Sequence, residues 1–105
     1  MNLSNKNILI TGASSGIGYE LAKQFADENC NLILLARRKE ILDSLAQKIK
    51  TNDHTIFTYR CDIRNKSEVE NVFSDIRKNI NHIDIAILNS GVGLKYIKYH
   101  LAIEH

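Results

Sequence analysis

Apolar and amphipathic runs alternate along the chain. Asn7 to Thr11 is a short apolar run ending at a glycine turn, and it reads as a strand. From Ile17 to Glu28 the period becomes helical, with Ile17, Leu21, Ala22, Phe25 and Ala26 on one face. Asn31 to Ala36 is continuously apolar, as expected of a strand buried on both faces. Glu40 to Lys50 is helical again through Ile41, Leu42, Leu45, Ala46 and Ile49. Thr55 to Cys61 is rich in β-branched and aromatic residues and predicts a third strand. Ser67 and Glu70 have the spacing of a capping box, which marks a helix start. Val69, Val72, Phe73, Ile76 and Ile80 repeat at helical intervals behind it. Ile83 to Leu88 is the fourth apolar strand, Asn89-Ser90-Gly91-Val92-Gly93 reads as a turn, and Leu94 to His105 is expected to begin another helix. This β-α-β-α-β-α-β order implies right-handed crossovers and a parallel sheet with helices on both faces.

Composition narrows the picture without sharpening it. The 105 residues fit a single domain spanning 1–105, with 44% hydrophobic and 25% charged residues. A formal net charge of +2 gives no electrostatic case for nucleic-acid or membrane partners. No stretch approaches the roughly 18 apolar residues of a spanning helix. The N-terminus runs straight into strand pattern without the regions of a signal peptide, so the cytoplasm is the expected location. Cys30 and Cys61 fall at opposite ends of successive parallel strands, roughly 20 Å apart, too far for a disulfide. His54, His82, His100 and His105 are scattered without metal-ligand spacing, and no metal is expected.

The chemistry concentrates in the first turn, Thr11-Gly12-Ala13-Ser14-Ser15-Gly16-Ile17-Gly18. A glycine spacing between a strand and a helix is the setting of a phosphate site. Gly12 lets the chain leave the strand sharply. Gly16 keeps no side chain between a pyrophosphate and the backbone N–H groups, and Gly18 lets the helix pack close. The helix N-terminus offers unpaired donors and partial positive charge. Ser14 and Ser15 add hydroxyl donors. The plain alternative is a tight turn without a ligand. A P-loop is excluded, because no Lys-Ser/Thr pair follows the last glycine, and Thr11 stands where a methyltransferase loop carries an acid.

Thr11 to Gly18 resembles the T-G-x-x-x-G-I-G signature of the short-chain dehydrogenase/reductase family, and the likeness continues in order and spacing over residues 5 to 93. The implied fold is α/β, a Rossmann-like doubly wound parallel sheet of order 3-2-1-4, stopped after about four strands. The second strand ends Leu35-Ala36-Arg37-Arg38. Ala36 sits where members preferring NAD carry an acid, whereas Arg37 and Arg38 suit a 2′-phosphate, so the resemblance implies NADP(H) in preference to NAD(H). A solvated basic pair is the alternative. Asp62 and Ile63 are similar to the family's Asp-Val/Ile pair, whose carboxylate accepts from the adenine amino group. Asp62 as a simple helix-approach residue is the alternative there. Leu88-Asn89-Ser90-Gly91 is similar to the family's N-N-A-G, with Asn89 and Gly91 retained on the cofactor side. The implied cofactor set is therefore Gly12, Ser14, Ser15, Gly16, Ile17, Gly18, Arg37, Arg38, Asp62, Ile63, Asn89 and Gly91. Asp84 resembles the acid common at the head of that strand, with a structural role.

The family's catalytic Ser and Tyr-x-x-x-Lys lie beyond the N-N-A-G strand. The single literal match here, Tyr19 to Lys23, sits on the first helix behind the phosphate turn and reads as an exposed i,i+4 pair. No catalytic residue is assigned. The chain is expected to be the nucleotide-binding half of an NADP(H)-dependent oxidoreductase acting on an alcohol or carbonyl, inactive alone. The alternatives are a non-enzymatic nucleotide-binding or dimerising module and a remnant that binds nothing. An apolar fourth strand left as an edge would favour homo-oligomers or aggregation through that edge.

Overall fold

The computed structural model describes residues 2–14, 16–90 and 93–102, from residue 90 onward by backbone alone. The elements are β1 (Asn7–Thr11), α1 (Gly16–Asp27), β2 (Asn31–Ala36), α2 (Lys39–Ile49), β3 (Ile56–Arg60), α3 (Lys66–Asn79), β4 (His82–Ser90) and β5 (Gly93–Ala102). They form one sheet of order β3-β2-β1-β4-β5. The first four strands are mutually parallel, as the expected 3-2-1-4 order requires, and β5 runs antiparallel to β4.

The alternation of side chains divides the core into two layers. Ile8, Ile10, Leu32, Leu34, Ile85 and Ile87 face α1 and α2, where they meet Ala22, Ala26, Leu42 and Leu45. Leu9, Ile33, Leu35 and Ala86 face the other way, onto Val72 and Ile76 of α3 and Ile80 just beyond its end. Both faces of β1 and β2 are covered, which is why their sequences are apolar without interruption. The β4–β5 register shifts between Ile83 and Ile85, with the extra residue in β5, and Ile83 packs on the α3 side while Ile85 packs on the α1 side.

Four sequence expectations are corrected. The stretch from Leu94, expected to begin a helix, is strand β5 up to Ala102. Backbone groups along β4 would otherwise lack partners, and an antiparallel neighbour satisfies them. The apolar edge expected on the fourth strand is therefore absent, since β4 pairs with β1 on one side and β5 on the other. The outer strands are β3 and β5, and the case for association through β4 falls. Asn89 and Ser90 belong to β4 rather than to a turn, while Gly91 and Val92 lie outside the described residues. The cap of α3 also moves upstream: the Asn65 side chain, not Ser67, accepts the Glu68 N–H at 3.1 Å.

Two polar ties close the amino ends of the strands. Asp84 Oδ2 accepts the Asn7 N–H at 2.8 Å, joining the start of β1 to β4. His54 reaches two carbonyls, Cys30 O through Nδ1 at 2.9 Å and Ile49 O through Nε2 at 3.0 Å. It thus ties the last residue of α2 to the residue preceding β2.

Candidate functional site

The carboxyl ends of the four parallel strands lie at one end of the sheet. Thr11 of β1 is level with Leu35 of β2, Ala36 of β2 with Arg60 of β3, and Ile10 of β1 with Ile87 of β4. The chain progresses outward from β1 through β2 to β3, then crosses over to β4 on the other side of β1. The crevice outside that reversal, between the ends of β1 and β4, is where open α/β sheets bind their ligands.

The three glycines of the first turn are held there for different reasons. Gly12 has a φ of +62°, and a Cβ on it would stand 2.5 Å from the Asn89 carbonyl oxygen. A Cβ on Gly18 would stand 2.5 Å from the Gly12 carbonyl oxygen and 2.8 Å from Asn89 Nδ2. Those two glycines let the loop, the first turn of α1 and the end of β4 touch. Gly16 differs: its φ is +57°, yet a Cβ there would meet nothing within 4 Å. It borders open space at the N-terminus of α1, whose first turn carries no acidic residue. The positive end of the helix dipole therefore faces that space without a local counter-charge.

Asn89 and Thr11 lock the turn. Asn89 donates its backbone N–H to Thr11 Oγ1 at 3.1 Å, and its Nδ2 donates to the Gly12 carbonyl at 3.1 Å. Thr11 is otherwise buried among apolar side chains. The Ala13 N–H donates to the Leu35 carbonyl at 3.2 Å, fixing the loop to β2 as well. The sequence marks Asn89 as a residue facing the cofactor, whereas its side chain is engaged with the loop itself. The clamping role of Thr11 was missed, because its partner lies 78 residues away.

Beyond β2 and β3 the site becomes charged. Arg37 and Arg38 are exposed after β2, and neither forms an ion pair among the described residues. Asp62 follows β3 and is forked by Arg64, Nε to Oδ1 and Nη2 to Oδ2, each at 3.1 Å. The Arg64 backbone N–H also donates to Asp62 Oδ1 at 3.0 Å. Those side-chain and backbone bonds from Arg64, with a smaller pull from Arg37, hold the Asp62 carboxyl down to about 2. The Asp62 N–H donates to Glu68 Oε1 at 3.3 Å, and the same oxygen accepts from Arg60 at 2.5 Å. The loop after β3 is thus a pinned segment of alternating charge. Arg64 is absent from the sequence-derived set, although its charge two residues after Asp62 was the available signal.

Large apolar side chains exposed among the described residues are Ile17, Ile63 and Leu88, at 55%, 46% and 36%. Ile17 lies in the first turn of α1, Ile63 in the loop after β3, and Leu88 near the end of β4. The remaining expected residues are distributed as follows. Ser14 lies in the loop, half-buried, beside buried Ala13; Ser15 and Gly91 lie outside the described residues. Tyr19 and Lys23 sit on α1, with Lys23 Nζ 5.8 Å from the Tyr19 ring centre and 3.7 Å from Glu20, a surface arrangement. Cys30 and Cys61 are buried free thiols. Burial, with Glu28 nearby, pushes Cys30 up to about 11, and burial likewise raises Cys61. Neither is a thiolate near neutrality, so both are packing residues. No metal-binding group of His, Cys, Asp or Glu occurs among the described residues, and none of their helices is long and apolar enough to cross a membrane.

Comparison with known proteins agrees with this geometry. A fatty acyl-CoA reductase of Mycobacterium tuberculosis is 37% identical over 95 residues, 90% of this chain and 32% of the relative. An 11-beta-hydroxysteroid dehydrogenase of Pinus massoniana is 30% identical over 97 residues, 91% of this chain and 27% of the relative. The L-sorbose reductase of Gluconobacter frateurii, solved with NADPH and L-sorbose, matches with a TM-score of 0.75 at 30% identity, over 87% of this chain and 35% of its own. The chain thus spans about a third of the length of such relatives. The family model described as short chain dehydrogenase matches residues 6–102, from before β1 to the end of β5, and the chain belongs to the short-chain dehydrogenase family.

Proposed function

We propose that the chain binds NADP(H) at the β1–β4 crevice, as the cofactor-holding portion of an oxidoreductase that moves a hydride between NADP(H) and an alcohol or carbonyl compound. The observation that carries this reading is Gly16. Gly12 and Gly18 are glycines because neighbours fill the Cβ position, whereas Gly16 opens onto free space at an unquenched helix N-terminus. A pyrophosphate there meets backbone N–H groups at close range.

The other assignments follow outward from that point. Gly12 and Gly18 shape the turn and Asn89 fixes it, with the Ser14 and Ser15 hydroxyls and the Gly91 backbone as further proposed cofactor contacts. Ile17 and Ile63 offer exposed apolar surface to the rings of the dinucleotide. Asp62 Oδ2 accepts one bond from Arg64, leaving a lone pair for the adenine amino group. Arg37 and Arg38 meet the 2′-phosphate, which favours NADP(H) over NAD(H). The cofactor supplies the hydride. These 105 residues contribute binding and orientation, and the catalytic Ser and Tyr-x-x-x-Lys of the family have no counterpart among them.

Titration calorimetry with NADPH, with NADH, and with the Arg37→Ala variant tests the proposal. The expected result is NADPH binding that weakens with NADH or on substitution. A folded chain that binds neither nucleotide would overturn it. A second reading, a nucleotide-binding module without turnover, is favoured by the pairing of β5 along β4, which leaves β4 fully partnered within these residues. NADPH-dependent reduction of an aldehyde and ketone panel by the purified protein would exclude that reading.

A further inference from the structure

The loop after β3 places an anion inside a site that is to receive one. Ala36 of β2 is level with Arg60 of β3, so Arg37, directly after β2, and Asp62, two residues after Arg60, leave neighbouring parallel strands at the same end of the sheet. An unmasked carboxylate there would compete with a 2′-phosphate for Arg37 and would repel the phosphate dianion. Arg64 removes both effects. Its guanidinium engages both Asp62 oxygens, and its own backbone N–H holds the carboxylate in place. Arg60 is paired with Glu68 through a single contact, Nη1 to Oε1. The two pairs cancel, and among the described residues Arg37 and Arg38 form no ion pair.

We propose that Arg64 is a positioning residue that sets the cofactor preference, by neutralising Asp62 so that Arg37 is available to the 2′-phosphate. The inference rests on the function proposed above and adds a residue outside the cofactor-contacting set. Arg64 acts through Asp62 rather than on the nucleotide: its fork is spent on the carboxylate, in the bidentate geometry that arginine makes best.

The test is nucleotide binding by calorimetry to the unaltered chain, Arg64→Ala, Asp62→Asn and the Arg64→Ala/Asp62→Asn double variant. The Arg64 side chain is 74% exposed, so its removal leaves the core untouched, which far-UV circular dichroism checks. Arg64→Ala is expected to weaken NADPH about fivefold, the effect of one unmasked charge a few ångströms from a dianion in water. NADH should stay within about twofold, since it carries no 2′-phosphate, and the NADPH loss should shrink as salt rises. In the Asp62→Asn background, Arg64→Ala should weaken NADPH no further, because the charge that Arg64 masks is already gone. If Arg64→Ala weakens NADPH as much in that background as it does alone, Arg64 touches the phosphate itself and the proposal is overturned. Equal weakening of NADPH and NADH, or no change in either, would also overturn it. If the unaltered chain binds NADPH through Arg37 while Arg64→Ala changes nothing, this inference fails alone. If the unaltered chain binds no NADPH, the proposed function fails with it.

Discussion

Single residues in the first turn separate packing from binding. Alanine at Gly18 forces a Cβ to within 2.5 Å of the Gly12 carbonyl, and overpacking of that kind costs about 1–3 kcal/mol. Alanine at Gly16 meets no atom within 4 Å and adds only the left-handed backbone strain, about 1–2 kcal/mol. Thermal unfolding should therefore show Gly18→Ala unstable with or without nucleotide. Gly16→Ala should fold with a modestly lowered midpoint and lose NADPH binding by calorimetry. The opposite ranking would sink the assignment of Gly16 to the pyrophosphate. Asp62 makes a second prediction, in pH. Its folded value of about 2 lies below the ordinary carboxylate value, about 3.9 in an unfolded chain. The pair's contribution is thus fully present above about pH 4 and lost as the pH falls toward 2. An NMR titration of the side-chain carboxyl should find Asp62 ionised throughout the range in which nucleotide binding is measured. Asp62→Asn should flatten the acid limb of stability. The glycine spacing and the Arg37-Arg38 pair were legible because they sit in consecutive residues. The Asp62–Arg64 fork was not, since a charge two residues away shows its reach but not its direction.

Elements were legible to the extent that their burial was two-sided. β1 and β2 are uninterrupted apolar runs because both faces are covered, and the helices showed their period because only one face is. β5 was misread for a reason the sequence could not resolve. Its apolar Leu94, Ile97 and Leu101 fall at helical spacing, and pairing with β4 decides the outcome. The start of α3 was placed two residues late because Ser67 and Glu70 match the capping pattern, while Asn65 makes the bond. The two assignments differ in outcome. Asn65→Ala should cost about 1 kcal/mol of stability, whereas Ser67→Ala should be close to neutral in the same denaturant titration. Asn89 belongs to this scale too, as the joint between β4 and the first turn. Asn89→Ala removes the bond to the Gly12 carbonyl, a net loss of about 1 kcal/mol. It should also lower NADPH affinity in a calorimetric titration, because the turn is no longer held.

At the scale of the whole molecule, the site belongs to no one element. It joins the ends of four parallel strands, and its central bond, from Asn89 to Gly12, spans 77 residues. A nucleotide that binds only the assembled arrangement must raise its stability by mass action, by about 2.7 kcal/mol at a hundredfold excess over Kd. The unfolding midpoint should rise with NADPH concentration and stay fixed in Gly16→Ala; a midpoint indifferent to NADPH would argue against a folded-state site. That long-range bond has a further consequence, for the order of events in time. During synthesis β1, α1 and β2 emerge before β4 and can pair early, since β1 and β2 are close in sequence. β1 waits for its second neighbour until β4 has left the ribosome, and closing so large a loop is slow compared with local pairing. The glycine turn is therefore made well before the strand that completes it, so it becomes competent only after β4 has paired.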